Sequence, residues 1–195
     1  MFLLGIGGII GIIVGCIALI VLVIAFISGY NKLVKLRNKV KNAWSQIDVV
    51  LKRRFDLIPN LVETVKGYAT HEKEIWEDFA SARGSYVDAS KNNSVKDMAK
   101  ASESLGNTLS RLLVVSEQYP ELKANANFQN LMSELKDTEN KIQYARQFYN
   151  DIVNKYNDKV EMFPSNIVAR LFKFELKEFF EIEDKTHKEA PKVSF

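Results

Sequence analysis

The chain has 195 residues, one cysteine, two histidines and a formal net charge of +3. One cysteine leaves no intramolecular disulfide and suits a reducing compartment; two histidines far apart in sequence, His71 and His187, offer no metal-ligating cluster. The charge is unevenly placed. Residues 30–54 carry eight Lys or Arg against Asp48, a net +7, so residues 55–195 sum to −4.

The first 29 residues hold no charged side chain. From Phe2 to Ile27 the chain is Ile, Leu, Val, Gly, Ala and Phe, broken only by Cys16. As a helix this run reaches roughly 38 Å, enough to cross a hydrocarbon core of about 30 Å with some tilt. The sequence predicts a retained transmembrane anchor over residues 1–29. A cleaved secretory signal fits poorly, because the start is uncharged and the apolar stretch too long. Ile13-Val14-Gly15-Cys16 looks like a lipoprotein cleavage box, but the residues after Cys16 stay apolar where a mature lipoprotein turns polar. Cys16 therefore reads as a small apolar residue of the helix.

Gly7, Gly11 and Gly15 repeat every four residues, and Ala18 continues their face. Overlapping GxxxG units let helix backbones approach closely in lipid, so this face is the expected transmembrane packing surface; the bland alternative is that glycine is common in membrane helices. Five basic residues follow the span: Lys32, Lys35, Arg37, Lys39 and Lys41. Lys and Arg close to a span tend to remain in the cytoplasm. The expected topology is single-pass, N-terminus outside, bulk of the chain in the cytoplasm, with the basic collar against anionic headgroups. Nucleic acid would use the same charge, but the distal part is acidic and carries no binding motif that interleaves aromatic residues, so no nucleic-acid partner is expected.

Beyond residue 30 the chain reads as helix, with no sustained strand alternation. Leu33, Leu36, Val40, Trp44, Ile47, Leu51, Phe55, Ile58, Val62, Val65 and Ala69 lie at a mean spacing of about 3.6, one face of a long helix continuous with the span. Pro59 lies inside this pattern and bends or breaks the helix there; periodicity running through it favours a bend. Trp76, Phe79 and Ala80 extend the pattern before a loose region expected around Gly84–Ser94. Ser94 with Asp97 forms a weak capping box for the next helix, whose stripe is Met98, Ala101, Leu105, Leu109, Leu112, Val115 and Tyr119. Pro120 suits the first turn of a new helix. The stripe Phe128, Leu131, Leu135, Thr138, Ile142, Ala145, Tyr149, Ile152, Tyr156, Val160 and Phe163 has a spacing of about 3.5, heptad packing against neighbouring helices. A shorter helix is expected from about Ser165 to Phe180. On it Leu171, Phe172, Leu176, Phe179 and Phe180 share one broad side and Phe174 lies off it; the side either packs on the bundle or forms an exposed aromatic patch.

The fold class is therefore all-α: an N-terminal transmembrane helix running into a long-helix antiparallel bundle, with a short C-terminal helix. The expected divisions are an anchor over residues 1–29, a bundle domain over 30–183 and a charged tail over 184–195.

Several stretches resemble the LemA family: Trp44-Ser45-Gln46-Ile47-Asp48, the run from Lys52 to Val65, Tyr119-Pro120-Glu121-Leu122, Arg146-Gln147-Phe148-Tyr149-Asn150, Tyr156-Asn157, Phe163-Pro164 and Pro191-Lys192-Val193-Ser194-Phe195. The motifs occur in order over nearly the whole chain. The resemblance implies a bacterial cell-membrane protein with one span and a cytoplasmic helical bundle. It implies no enzyme, because the family has no agreed biochemical activity. One relative belongs to the magnetosome membrane.

The residues themselves point away from catalysis. His71-Glu72 resembles the start of a zinc-protease HExxH, but the fifth position is Ile75. No phosphate-binding glycine loop, GxSxG elbow or Cys/His nucleophile arrangement is present. Asp48, Asp56 and Glu63 sit among Lys52, Arg53 and Arg54 at helical spacing, which reads as ion pairing within the helix. No catalytic residue, cofactor site or metal site is expected. The functional expectation is a non-enzymatic, membrane-anchored scaffold or organiser that self-associates. The alternative is a monomeric adaptor or regulator docking an unknown protein partner.

Overall fold

A computed structural model describes residues 6–69 and 72–181, with side chains from residue 8 onward. His71, His187, the terminal motif Pro191–Phe195 and the surroundings of Gly7 lie outside the described residues. Among the described residues six helices follow one another: α1 (Ile6–Lys66), α2 (Lys73–Lys91), α3 (Val95–Ser116), α4 (Pro120–Ala124), α5 (Ala126–Glu161) and α6 (Ser165–Leu171). Among the described residues there is no strand. The all-α class, the long apolar helix at the N-terminus and the short helix near the C-terminus are as the sequence predicts.

Helix α1 runs through Pro59 without a break, so the missing hydrogen bond at the proline is tolerated within a continuous helix. Its first part is apolar all round, and from Ile9 to Ile27 its large side chains are exposed. A soluble core helix of that composition would be covered by protein. Among the described residues these side chains stay exposed, so the stretch is not a buried core helix, and it is long and apolar enough to cross a membrane. Beyond the span the 3.6-residue stripe is buried at Leu33, Val40, Ile47, Leu51, Phe55, Ile58, Val65 and Ala69. Leu36, Trp44 and Val62 on the same stripe are half-buried, while Ala43 and Leu61 are buried beside them.

The chain forms two compact units. One contains Met1–Asn42 and Asp151–Lys177, the other Ala43–Asn150 and Glu178–Phe195. Helices α1 and α5 contribute to both. In the first unit Leu33 and Val40 of α1 are buried, as are Ile152, Val153 and Tyr156 of α5 and Val168 and Ala169 of α6.

In the second unit α2 and α3 form an antiparallel hairpin. Its turn is built by Asn93 at φ 50°, a left-handed position that asparagine tolerates better than most residues. Ser94 then caps α3: its hydroxyl oxygen accepts from the Asp97 amide at 3.3 Å and donates to the Asp97 carboxylate at 2.7 Å. Pro120 occupies the first turn of α4. Phe55 of α1 stacks on Tyr86 of α2, with ring centroids 4.1 Å apart and 12° between planes. Arg111 of α3 pairs with Asp78 and Glu74 of α2.

Two expectations are corrected. The region around Gly84–Ser94 is not loose up to Asn92: α2 continues to Lys91, with Gly84 inside it. The reason is its buried stripe, Ile75, Phe79, Ala82, Tyr86 and Ala89, which keeps helical spacing through the glycine; Ala80, expected on that stripe, is exposed. The C-terminal helix does not reach Phe180 but stops at Leu171. Lys173 at φ 54° turns the chain out of the helix, and residues 174–179 form no helix. The aromatic side chains are redistributed accordingly. Phe174 and Phe180 are buried, Phe179 is half-buried, and Leu171, Phe172 and Leu176 are exposed.

Candidate functional site

The span and its collar belong to the first unit. Beyond the adjacent backbone of their own helix, Gly11 and Gly15 have no described atom within 4 Å of the position a Cβ would take. All five collar residues, Lys32, Lys35, Arg37, Lys39 and Lys41, are exposed. Arg37 has a second engagement, its guanidinium carbon lying 5.2 Å from the centroid of the Phe174 ring, a cation–π geometry.

Each unit also holds an asparagine clamp that the sequence did not disclose. In the first, Asn157 of α5 donates to the Lys177 carbonyl at 2.9 Å and accepts from the Lys177 amide at 2.9 Å. Tyr156 donates its hydroxyl to the Glu175 carbonyl at 2.9 Å. In the second, Asn150 donates to the Phe180 carbonyl at 3.3 Å and accepts from its amide at 2.8 Å. Tyr149 donates to the Glu178 carbonyl at 2.9 Å. An asparagine amide presents a donor and an acceptor side by side, so it pairs with one residue's backbone as a neighbouring strand would. The non-helical segment after α6 thereby satisfies backbone groups that would otherwise cost about 1–3 kcal/mol each when buried. Burial, with Glu178 in the same direction, pushes the Tyr149 hydroxyl up to about 12. Burial also raises Tyr156, with Arg37 opposing and Glu175 adding to the rise.

The second unit holds an open groove of about 740 Å³ between α3 and α5. Leu109 and Leu113 of α3, and Met132, Leu135 and Ile142 of α5, give it apolar walls. Lys136, Arg146 and Glu103 add charge, and Arg54 of α1 completes the lining. Arg54 is 4% exposed. Its Nη1 lies 2.7 Å from Glu139 Oε2 and donates to the Ser102 hydroxyl at 3.2 Å. Its Nε is buried without a partner. Burial pulls the guanidinium below its ordinary value, and Glu139 opposes that shift.

Two of the basic residues expected to pair along α1, Arg53 and Arg54, have ion-pair partners on α5. Arg53 pairs with Glu134 at 3.5 Å and Arg54 with Glu139. Asp48 and Asp56 act on Tyr86, whose hydroxyl rises to about 12 mainly through burial. A basic residue at position 54, adjacent to the buried Phe55 and three residues beyond Leu51, was the one available signal that this arginine turns inward.

The LemA family profile matches residues 43–195, so the match covers the whole second unit and the clamp residues of both. Among similar proteins, "Magnetosome protein MamQ 2" of Paramagnetospirillum magneticum is 26% identical over 186 residues, covering 82% of this chain and 68% of that protein. "Magnetosome protein MamQ" of Magnetospirillum gryphiswaldense is 23% identical over 190 residues, covering 86% and 70%. "Protein LemA" of Metamycoplasma hominis is 27% identical over 147 residues, covering 74% and 65%. With the apolar N-terminal helix and the helical units already described, these matches establish a membrane-associated helical protein, and the chain belongs to the LemA family.

Proposed function

We propose that this chain is a non-enzymatic scaffold of the bacterial cell membrane, single-pass with its N-terminus outside and its helical units in the cytoplasm, which self-associates through the glycine face of its span. The observation that carries this reading is the open space at Gly11 and Gly15, in the stretch of α1 from Ile9 to Ile27 whose large apolar side chains are exposed. In lipid, helices associate by van der Waals packing, and a face without side chains allows the closest approach. Tethering in two dimensions raises the effective concentration of every further contact between copies. The collar of Lys32, Lys35, Arg37, Lys39 and Lys41 holds the first unit to anionic headgroups. The relatives named as magnetosome proteins support a role at a membrane.

The α3/α5 groove favours a second reading, an adaptor that docks a protein partner as a monomer. An apolar groove with a buried arginine at its base offers a partner both contact area and an anchor for a carboxylate or carbonyl. Size measurement of the detergent-extracted protein separates the two: the scaffold runs as an oligomer and the adaptor as a monomer.

A further inference from the structure

The first unit carries an apolar surface that its own core does not need. Around α6, Met162 is 56% exposed, Phe163 79%, Ile167 56% and Leu171 65%. Four large side chains so close together are a poor surface for water. Their position explains them. Val168 of α6 lies 3.7 Å from where a Cβ on Gly29 would sit. Phe172, just after α6, has its ring 6.1 Å from Phe26 and 4.6 Å from Tyr30. Residues 26–30 are where the apolar run ends and the basic collar begins, which is the boundary between acyl chains and headgroups. Helix α6 is thus held at that depth, and Lys159 near the end of α5, Arg170 within α6 and Lys173 just after it are cations that snorkel toward headgroups.

Between α6 and the end of the span lies a crevice of about 490 Å³. Leu22, Ala25 and Phe26 line it from the span and Ile167 and Val168 from α6. Lys32 and Lys159 also line it, and among the described residues no carboxylate does. The combination of apolar walls reaching into the depth of the span with two ammonium groups near its end matches one molecule of the surrounding solvent. We infer that this crevice seats an anionic phospholipid, an acyl chain along Leu22, Phe26 and Ile167 and the phosphate at Lys32 and Lys159, with α6 lying in the bilayer boundary beside it. A second copy of the chain is the other occupant such a surface admits, but a lining with two cations and no anion favours a negatively charged molecule. The inference rests on α1 spanning a membrane and is independent of self-association.

The test uses the full chain, with Cys16→Ala and Ile167→Cys, labelled at residue 167 with an environment-sensitive fluorophore and reconstituted into phosphatidylcholine vesicles containing phosphatidylglycerol. Either lipid carries a nitroxide quencher on an upper acyl carbon. The expected emission is blue-shifted, and quenching by the nitroxide phosphatidylglycerol exceeds that by the nitroxide phosphatidylcholine by about threefold. Lys32→Gln with Lys159→Gln abolishes the excess while leaving the blue shift. A label at Leu171→Cys, outside the crevice, should be quenched equally by both lipids, which reports that the chain is inserted and α6 is at the boundary. Water-like emission at residue 167 would overturn the inference. So would blue emission that neither lipid quenches, the signature of a second copy covering the site. Equal quenching by the two lipids, or an excess that survives the double substitution, would remove the anionic seat.

Discussion

Arg54 and Glu139 meet at 2.7 Å across α1 and α5, with the arginine buried and the carboxylate at 38% side-chain exposure. A guanidinium withdrawn from water in this way is held by one carboxylate, Ser102 and little else. Removing the carboxylate leaves an uncompensated charge, whereas removing the arginine leaves a carboxylate that can turn to solvent. Glu139→Gln should therefore cost about 2 kcal/mol, below the 3–5 expected for a fully buried pair because the glutamate is partly hydrated. Arg54→Met should cost less. Thermal melts of the detergent-solubilised protein check the order; a larger loss from Arg54→Met would mean that the aliphatic stem and its packing, not the charge, matter there.

The asparagine clamps give a second expectation. Asn150→Ala and Asn157→Ala each remove two hydrogen bonds and expose buried backbone groups, so each should cost about 2 kcal/mol. The effect should be local before it is global. Hydrogen exchange at the Phe180 amide should accelerate in Asn150→Ala, and at the Lys177 amide in Asn157→Ala. Unchanged exchange at both amides would show that the segment is held by Phe174 and Phe180 alone.

Alkaline pH should loosen the second unit through Tyr149. Its hydroxyl is raised to about 12, above the ordinary value near 10. Below pH 10 both folded and unfolded forms keep the proton, and stability is unaffected. Between about pH 10 and 12 the unfolded form loses its proton first, so stability falls as pH rises. Tyr149→Phe should start less stable by about 1 kcal/mol, having lost the bond to Glu178, but should show a shallower decline over that window. A decline equally steep in the variant would assign the titration elsewhere, Tyr86 being the next group with a similar rise.

Topology is tested by paired reporters after Phe195. A fluorescent protein that matures only in the cytoplasm should glow, and a phosphatase active only outside the inner membrane should stay silent. The opposite pair of results would reverse the orientation taken from the collar.

Much of this fold was legible because helical periodicity is a local signal. The stripe from Leu33 to Ala69 specified the exposed-to-buried alternation of α1, and Ser94 with Asp97 marked the start of α3. Trp44 shows the limit of periodicity: the stripe includes it, yet it is half-buried, its ring 5.6 Å from Tyr149 and 6.1 Å from Phe180. Of these partners Tyr149 lies on α5, but Phe180 comes from a segment of the chain that is not helical. That segment was misread as helix because Leu171, Phe172, Leu176, Phe179 and Phe180 imitate a helical face. The left-handed turn at Lys173 and the backbone pairing by Asn150 and Asn157 are non-local choices that leave no periodic trace. The partners of Arg54 were equally hidden, since Ser102 and Glu139 lie on other helices.

The central claim is self-association through the span, and the most direct measurement is the particle mass of the full chain extracted into lipid nanodiscs, for the native sequence and for Gly11→Ile. A Cβ added at Gly11 meets nothing within 4 Å beyond the adjacent backbone of its own helix, so the melting temperature should not change, while the close approach of neighbouring helices is blocked. The account predicts oligomers from the native chain and a smaller mass, down to the monomer, from Gly11→Ile. A monomeric native chain, or oligomers of native size from the variant, would contradict it.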